Sequence, residues 1–282
     1  MNRHLPYQPN LAFTNDNGEL VILHNSGFYS CCSIRLRKII NWYNEYKKLP
    51  IVDSAGQWGM YKDKEEDIST KFFNTSTTLD MKYIDYVDFS SDVIEDQFSN
   101  YSKINFDLVG FFIKKYYNVS DDVLLIKNKL ISKYNIDIDK TIAVCYRATD
   151  KKKEVNIPSY QEMFSKIRNI QSQYPEHKLL IQSDEQEFIE ASRQEFPYHI
   201  HFEESRKVSS NHRAVQFYFP QGEKVYHAQV FLAIMQILSE CSRVILNSGN
   251  VGMWVCLFRN NTKGVSQYLK PNTGPVFGDS WL

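Results

Sequence analysis

Residues 141–151 read Thr-Ile-Ala-Val-Cys-Tyr-Arg-Ala-Thr-Asp-Lys. A short, mostly apolar run that breaks at once into a polar one is the pattern of a strand buried on both faces and ending in a loop. The pattern recurs twice downstream. Leu179–Gln182 (LLIQ) precedes Ser183-Asp184-Glu185, and Arg243–Leu246 (RVIL) precedes Asn247-Ser248-Gly249-Asn250-Val251-Gly252. Between these runs, Ser159–Tyr174, Glu185–Phe196 and His227–Cys241 carry helical spacing, and Val251–Arg259 follows as a further helix. Pro158 and Ser159 stand in helix-start positions. Tyr198–Phe202 (YHIHF) and Gly264–Tyr268 (GVSQY) complete the set as strands. Strands alternating with helices of this length predict an α/β fold with a parallel sheet.

Outward to the N-terminus the signal thins. Glu19–His24 (ELVILH) reads as a strand, Asn25–Ser30 as a glycine-containing turn and Cys31–Lys47 as an amphipathic helix stopped by Pro50. Ile51–Ser54 reads as the next strand, which makes the start of an α/β unit. Residues 55–103 are rich in aromatics and acids, and Lys82–Phe89 alternates like a strand. Helical spacing returns over Phe106–Tyr117 and Val123–Tyr134, and the polar stretch Tyr134–Lys140 places a domain boundary between 1–137 and 138–282. No internal repeat interrupts the pattern.

Composition narrows the function classes. In 282 residues, 33 basic and 33 acidic side chains cancel, so no global field favours nucleic acid or an anionic membrane. The five cysteines have no paired spacing and read as buried thiols, and no His/Cys pattern offers a metal site. The N-terminus lacks an apolar signal core, and the run Val230–Leu238 is far short of the roughly 20 residues that span a bilayer. The expectation is a soluble, cytoplasmic protein without a transmembrane segment.

In an open α/β sheet, ligands bind beyond the carboxyl ends of the strands. Arg147 there can meet a phosphate with its fork of donors, or belong to an ordinary charged loop. Asp184 and Glu185 can accept hydrogen bonds from a base or ribose, or cap the helix that follows. In Ser248-Gly249-Asn250-Val251, glycine admits a close backbone approach and the helix N-terminus supplies N–H donors to a phosphate. The same glycine could serve the bend alone. The segment is neither GxGxxG nor a P-loop, so neither a nicotinamide cofactor nor ATP hydrolysis is favoured. Phe217–His227 forms a loop before the long helix, with His227 as a helix-start residue.

The combination resembles a known family. Ile142-Ala-Val-Cys-Tyr-Arg-Ala-Thr-Asp-Lys151, with Glu154, Pro158 and Tyr160-Gln161-Glu162-Met163 behind it, resembles the V-H-V-R-R-T-D-K…E…P…E-Y-M region of the α1,6-fucosyltransferases. That group includes the rhizobial nodulation and eukaryotic core fucosyltransferases. LLIQSDEQEFIEASRQEFP and ILSECSRVILNSGNVGMWVCLF resemble two later segments, so the likeness spans about residues 140–260 in order and spacing. In the first half only GFYSCC…LPIVDS is suggestive.

The resemblance implies a GT-B-like fold of two Rossmann-like domains facing a cleft. It implies an inverting, metal-independent transfer of fucose from GDP-fucose to a glycan or other hydroxyl acceptor, with no cofactor beyond the donor. Carried over by residue, Arg147 meets the donor phosphates. Asp184 and Glu185 match the acidic pair, Ser248 and Gly249 the last motif, and Asn250 and Val251 the helix start beside it. Glu154 stands near the family's base, with Asp150 as second candidate. The first-half turn, with Gly27, Ser30 and Arg35, becomes the acceptor side. The chain departs from the pattern at Ala148, where the family carries a second arginine, and at Ile234, where it carries an acid. Another GDP-sugar as donor, a catalytically silent nucleotide-sugar-binding module, or an unrelated phosphate-handling α/β enzyme remain the alternatives.

Overall fold

The computed structural model describes residues 12–75, 84–87, 97–149, 156–269 and 281–282. In the first half, β1 (Ala12–Thr14), β2 (Leu20–Ile22) and β3 (Val52–Asp53) form one sheet with β2 central. β2 and β3 run parallel, with Leu20 opposite Val52, and helix α1 (Phe28–Tyr46) is the crossover between them. This is the strand–helix–strand unit that ELVILH and Ile51–Ser54 announce. β1 pairs antiparallel with β2, and its three residues are too few to carry a readable alternation.

β4 (Phe73–Asn74) and β5 (Asn118–Val119) form a small antiparallel pair, with α2 (Phe106–Tyr116) between them in the chain. Helix α3 (Asp121–Tyr134) closes the half. Ser120 accepts from the Val123 N–H at its start, and Asp121 and Asp122 complement the positive helix end. The strand expected over Lys82–Phe89 lies partly outside the described residues, and its described part, 84–87, is not strand.

The second half runs β6 (Thr141–Tyr146), α4 (Tyr160–Gln173), β7 (Lys178–Ser183), α5 (Gln186–Glu195), α6 (Lys224–Glu240), β8 (Arg243–Asn247), α7 (Asn250–Arg259) and β9 (Val265–Tyr268). The sheet is parallel in the order β7-β6-β8-β9, and Ile200 adds a parallel bridge to Leu180 of β7. The strand expected over Tyr198–Phe202 shrinks to that bridge: Tyr198 is 97 % exposed and Phe202 alone of the five is fully buried. Helix α4 opens on a reciprocal cap: Ser159 Oγ accepts from the Glu162 N–H, and Glu162 accepts from the Ser159 N–H.

Alternate residues of β6 feed two cores. Ile142, Val144 and Tyr146 pack with Met163, Phe164 and Ile167 of α4 and with Phe188 of α5. Ala143 and Cys145 turn to the other face, where α6 and α7 lie. With both faces covered, the strand reads as an unbroken apolar run.

The larger core continues into the first half. Trp254 of α7 lies with its ring 5.8 Å from Tyr29 and 4.7 Å from Tyr117, and its Nε1 donates to Ser33 Oγ at 2.8 Å. Phe28 packs edge-on against Tyr29, Tyr61 and Phe72 at 5.0–5.5 Å, a geometry worth about 0.5–1.5 kcal/mol per pair beyond the area buried. One cluster thus joins residues from Leu20 to Leu257 across position 137.

Candidate functional site

β7 lies on one side of β6 and β8 on the other, so the chain reverses its direction of growth between β6 and β8. The crevice beyond their carboxyl ends is the topological switch point, where open α/β sheets bind ligands. Arg147, the first residue after β6, occupies it. Asn247, at the end of β8, holds Arg147 by its main chain: Asn247 Oδ1 accepts from the Arg147 N–H and Nδ2 donates to the Arg147 carbonyl, both at 2.8 Å. Asp184, just past β7, holds the next stretch. Its carboxylate accepts from the Ala148 N–H at 3.3 Å and from Thr149 Oγ1 at 2.5 Å, and lies 3.4 Å from Arg147 Nη1. Two neighbouring strands therefore fix the backbone and head group of one arginine.

Around Arg147 opens a cleft of about 1040 Å³, walled by both halves. That is at the upper end of the range for small-molecule sites. Of the residues singled out from sequence, Arg147, Asp184, Asn250 and Val251 of the second half and Gly27 and Ser30 of the first line it. Among the described residues, four arginines (Arg37, Arg147, Arg206 and Arg213) stand on its walls against two carboxylates, Asp184 and Glu204. Glu204 is already engaged by Lys133 and by the Tyr134 hydroxyl. A chain of zero net charge thus concentrates positive charge in its cleft, which suits an anionic ligand. The floor is aromatic: the Phe231 ring lies 5.8 Å from the Arg147 guanidinium and 5.4 Å from Tyr29.

The start of α7 is built with care. Gly249 has φ +143°, which a side chain rarely tolerates. At Gly252 a Cβ would meet the Asn247 carbonyl oxygen at 2.8 Å, so glycine lets the helix rest on the strand end. The Gly249 N–H donates to the Gln97 carbonyl and the Tyr101 hydroxyl, and the Asn250 N–H to Gln97 Oε1. The next amide is that of Val251, on the cleft lining. The Asn250 carboxamide is tied across to α1 by Ser33 Oγ at 2.7 Å.

Four expected site residues have other work. Glu185 is fully buried within the smaller core and hydrogen-bonds Tyr160 of α4. It points away because neighbours at a strand end alternate in direction. Ser248 donates to the Tyr268 carbonyl and accepts from Gln267, so it joins β8 to β9 rather than facing the cleft. Gly249 makes the turn, and its amide is taken. Arg35 is buried in the first half, donating to Ser54 and the Tyr116 carbonyl, with its guanidinium 5.1 Å from the Tyr117 ring centroid. Asp150 and Glu154 lie outside the described residues.

Several lining residues escaped the sequence reading. His24, at the end of the first strand segment, and Arg206, His212 and Arg213, after YHIHF, all reach the cleft. Strand-end placement, applied to those two strands as well, would have found them. His227 lies in the first turn of α6 and also lines the cleft, its ring stacked on Phe219 at 5.0 Å. Burial, aided by Arg206, lowers its pKa. Cys145 faces the cleft with its thiol pushed up by burial to about 12, so it is no thiolate nucleophile at neutral pH. All five cysteines are free and buried. Among the described residues no group of three or more His, Cys, Asp or Glu side chains is placed to hold a metal ion, and no helix is long and apolar enough to cross a membrane.

No family model matches the chain, and no curated protein is similar to it in sequence. Solved structures are similar to it in fold. The crystal structure of NodZ alpha-1,6-fucosyltransferase soaked with GDP-fucose matches with TM-score 0.57 and 11% identity, over 88% of this chain and 95% of that one. Fucosyltransferase NodZ from Bradyrhizobium matches with TM-score 0.55 and 10% identity over the same shares. Against NodZ co-crystallized with GDP the match spans 59% of this chain and 50% of that one, with TM-score 0.41. The chain has the NodZ fold: α/β and GT-B-like, with two Rossmann-like halves about a cleft, the second-half sheet being the larger.

Proposed function

We propose that this chain is a glycosyltransferase that binds a GDP-sugar, GDP-fucose foremost, and transfers the sugar with inversion to a hydroxyl of a glycan or glycoconjugate. The observation that carries this reading is Arg147 at the switch point, its backbone held by Asn247 and its guanidinium by Asp184, in a cleft richer in arginine than in carboxylate. A departing diphosphate carries developing negative charge. A preorganised cation and a helix N-terminal amide placed to receive it provide most of the transition-state stabilisation in many such reactions. Arg147 and the Val251 N–H fill these roles without a metal. In this reading residues 138–282 bind the donor, and residues 1–137 present the acceptor beside Gly27 and Ser30. From sequence, Glu154 and then Asp150 are the candidates for the base.

The departures favour a second reading. Ala148, where the resembled family has its second arginine, is fully buried, and Ile234 is sealed in the core. The site therefore lacks two polar groups that fucosyl transfer uses in that family, as expected of a silent nucleotide-sugar-binding module. Calorimetric titration with GDP, UDP, ADP and CMP, each with EDTA present, separates these possibilities when followed by an assay of GDP-fucose turnover. GDP selectivity with turnover is the expected result. GDP binding without turnover or hydrolysis selects the silent module, UDP preference discards fucose, and binding of none discards the donor reading.

A further inference from the structure

The first-half wall of the cleft carries a histidine that donor binding leaves without a role. His24 follows β2 and precedes the N-cap of α1 by three residues; it lines the cleft yet is only 5 % exposed. Its Nε2 lies 3.0 Å from the hydroxyl of Ser30, in the first turn of α1. The His24 carbonyl accepts from Cys31 Sγ and Gln57 Nε2, each at 3.5 Å, so the residue is held from two sides. Tyr29, beside Ser30, reaches Phe231, and Phe231 reaches Arg147, so a continuous aromatic floor joins the two walls. The groups packed on His24 (Ser30, Cys31 and Gln57) are uncharged at neutral pH. Among the described residues, the charged side chains of the cleft are Arg37, Arg147, Arg206, Arg213, Asp184 and Glu204. Burial lowers the pKa of His24 below its ordinary value, so at pH 7 the imidazole is neutral and offers a lone pair.

Resting on the glycosyltransferase reading, we infer that His24 takes the proton from the attacking hydroxyl, with Ser30 orienting its ring. As the acceptor oxygen bonds to the anomeric carbon, its proton passes to the imidazole. The bond from that carbon to the diphosphate oxygen breaks, and its electron pair leaves with the diphosphate toward Arg147. The imidazolium then gives its proton to water. Proton acceptor and leaving-group cation belong to different halves and line the same cleft.

The test compares His24→Gln and Ser30→Ala with the unaltered chain, using GDP-fucose hydrolysis, with water as acceptor, from pH 5 to 9. GDP titration and circular dichroism run alongside. His24→Gln is expected to lower kcat by about 10²–10⁴-fold, to bind GDP within about twofold of the unaltered chain, and to lose the acidic limb of the pH profile. Ser30→Ala, which removes only a hydroxyl, is expected to move the midpoint of that limb. An unchanged profile in Ser30→Ala together with full turnover in His24→Gln overturns the assignment. Absence of GDP binding by the unaltered chain overturns the donor reading, and His24's role with it.

Discussion

Asn247 closes the switch point by bonding both main-chain groups of Arg147, two partners that lie 100 residues away in the chain. Asn247→Ala strands a part-buried donor and acceptor, each costing up to about 1–3 kcal/mol when left unmade. The expected outcome is a loss of stability of that order in urea melts and weaker GDP binding by calorimetry. Arg147→Lys keeps the charge but loses the fork, so GDP affinity is expected to fall by about tenfold or more. If Arg147→Lys bound GDP unchanged, the phosphate role of Arg147 would be wrong. Arg147 and Asp184 were legible because each directly follows an apolar strand. Asn247 was visible only as part of a glycine-containing loop, since nothing local reveals a bond to a distant backbone. Glu185 and Ser248 mark the limit of strand-end reasoning. It gives a residue's height on the sheet, whereas the pleat decides which face the side chain takes.

At the scale of elements, α7 shows how a short motif serves two ends. Gly252 lets its first turn touch β8, and a methyl group there would press on the Asn247 carbonyl. Gly252→Ala is expected to cost about 1–3 kcal/mol, as overpacking does, and to weaken GDP binding by disturbing the Arg147 clamp. A melt and a titration of one preparation would check both, and unchanged stability would show that the helix is free to shift. The long apolar elements of the second half were legible because burial on both faces writes continuous hydrophobic runs. The two-residue pairing of β4 with β5 was not, since pairs that short are set by tertiary packing around Phe73 and Val119. The loop over residues 203–217 was equally silent. Its polar residues look like any connector until the cleft gathers them.

For the whole molecule, the contiguous core predicts that the two halves lose structure together. Tryptophan fluorescence and far-UV circular dichroism should trace one coincident urea transition; two separated transitions would show independently stable halves. Stability should also depend on acid. His24, His199, His201 and His227 all have pKa values lowered first by burial, His201 to about 4. Below about pH 6.5 the unfolded chain takes up protons that the folded chain refuses. Melting temperature is therefore expected to fall from pH 7 toward pH 4, and less steeply in His201→Asn.

Trp254 has a mechanical consequence. It belongs to the helix whose first turn lines the cleft, yet its indole is seated among Tyr29, Tyr117 and Ser33 of the other half. Swinging the halves apart about residue 137 would pull it from that socket, at a cost near the roughly 3–5 kcal/mol of deleting such a side chain. The cleft does not open like a book. Any widening of the cleft is expected at the 203–217 rim, which Val208 fastens to the end of β7.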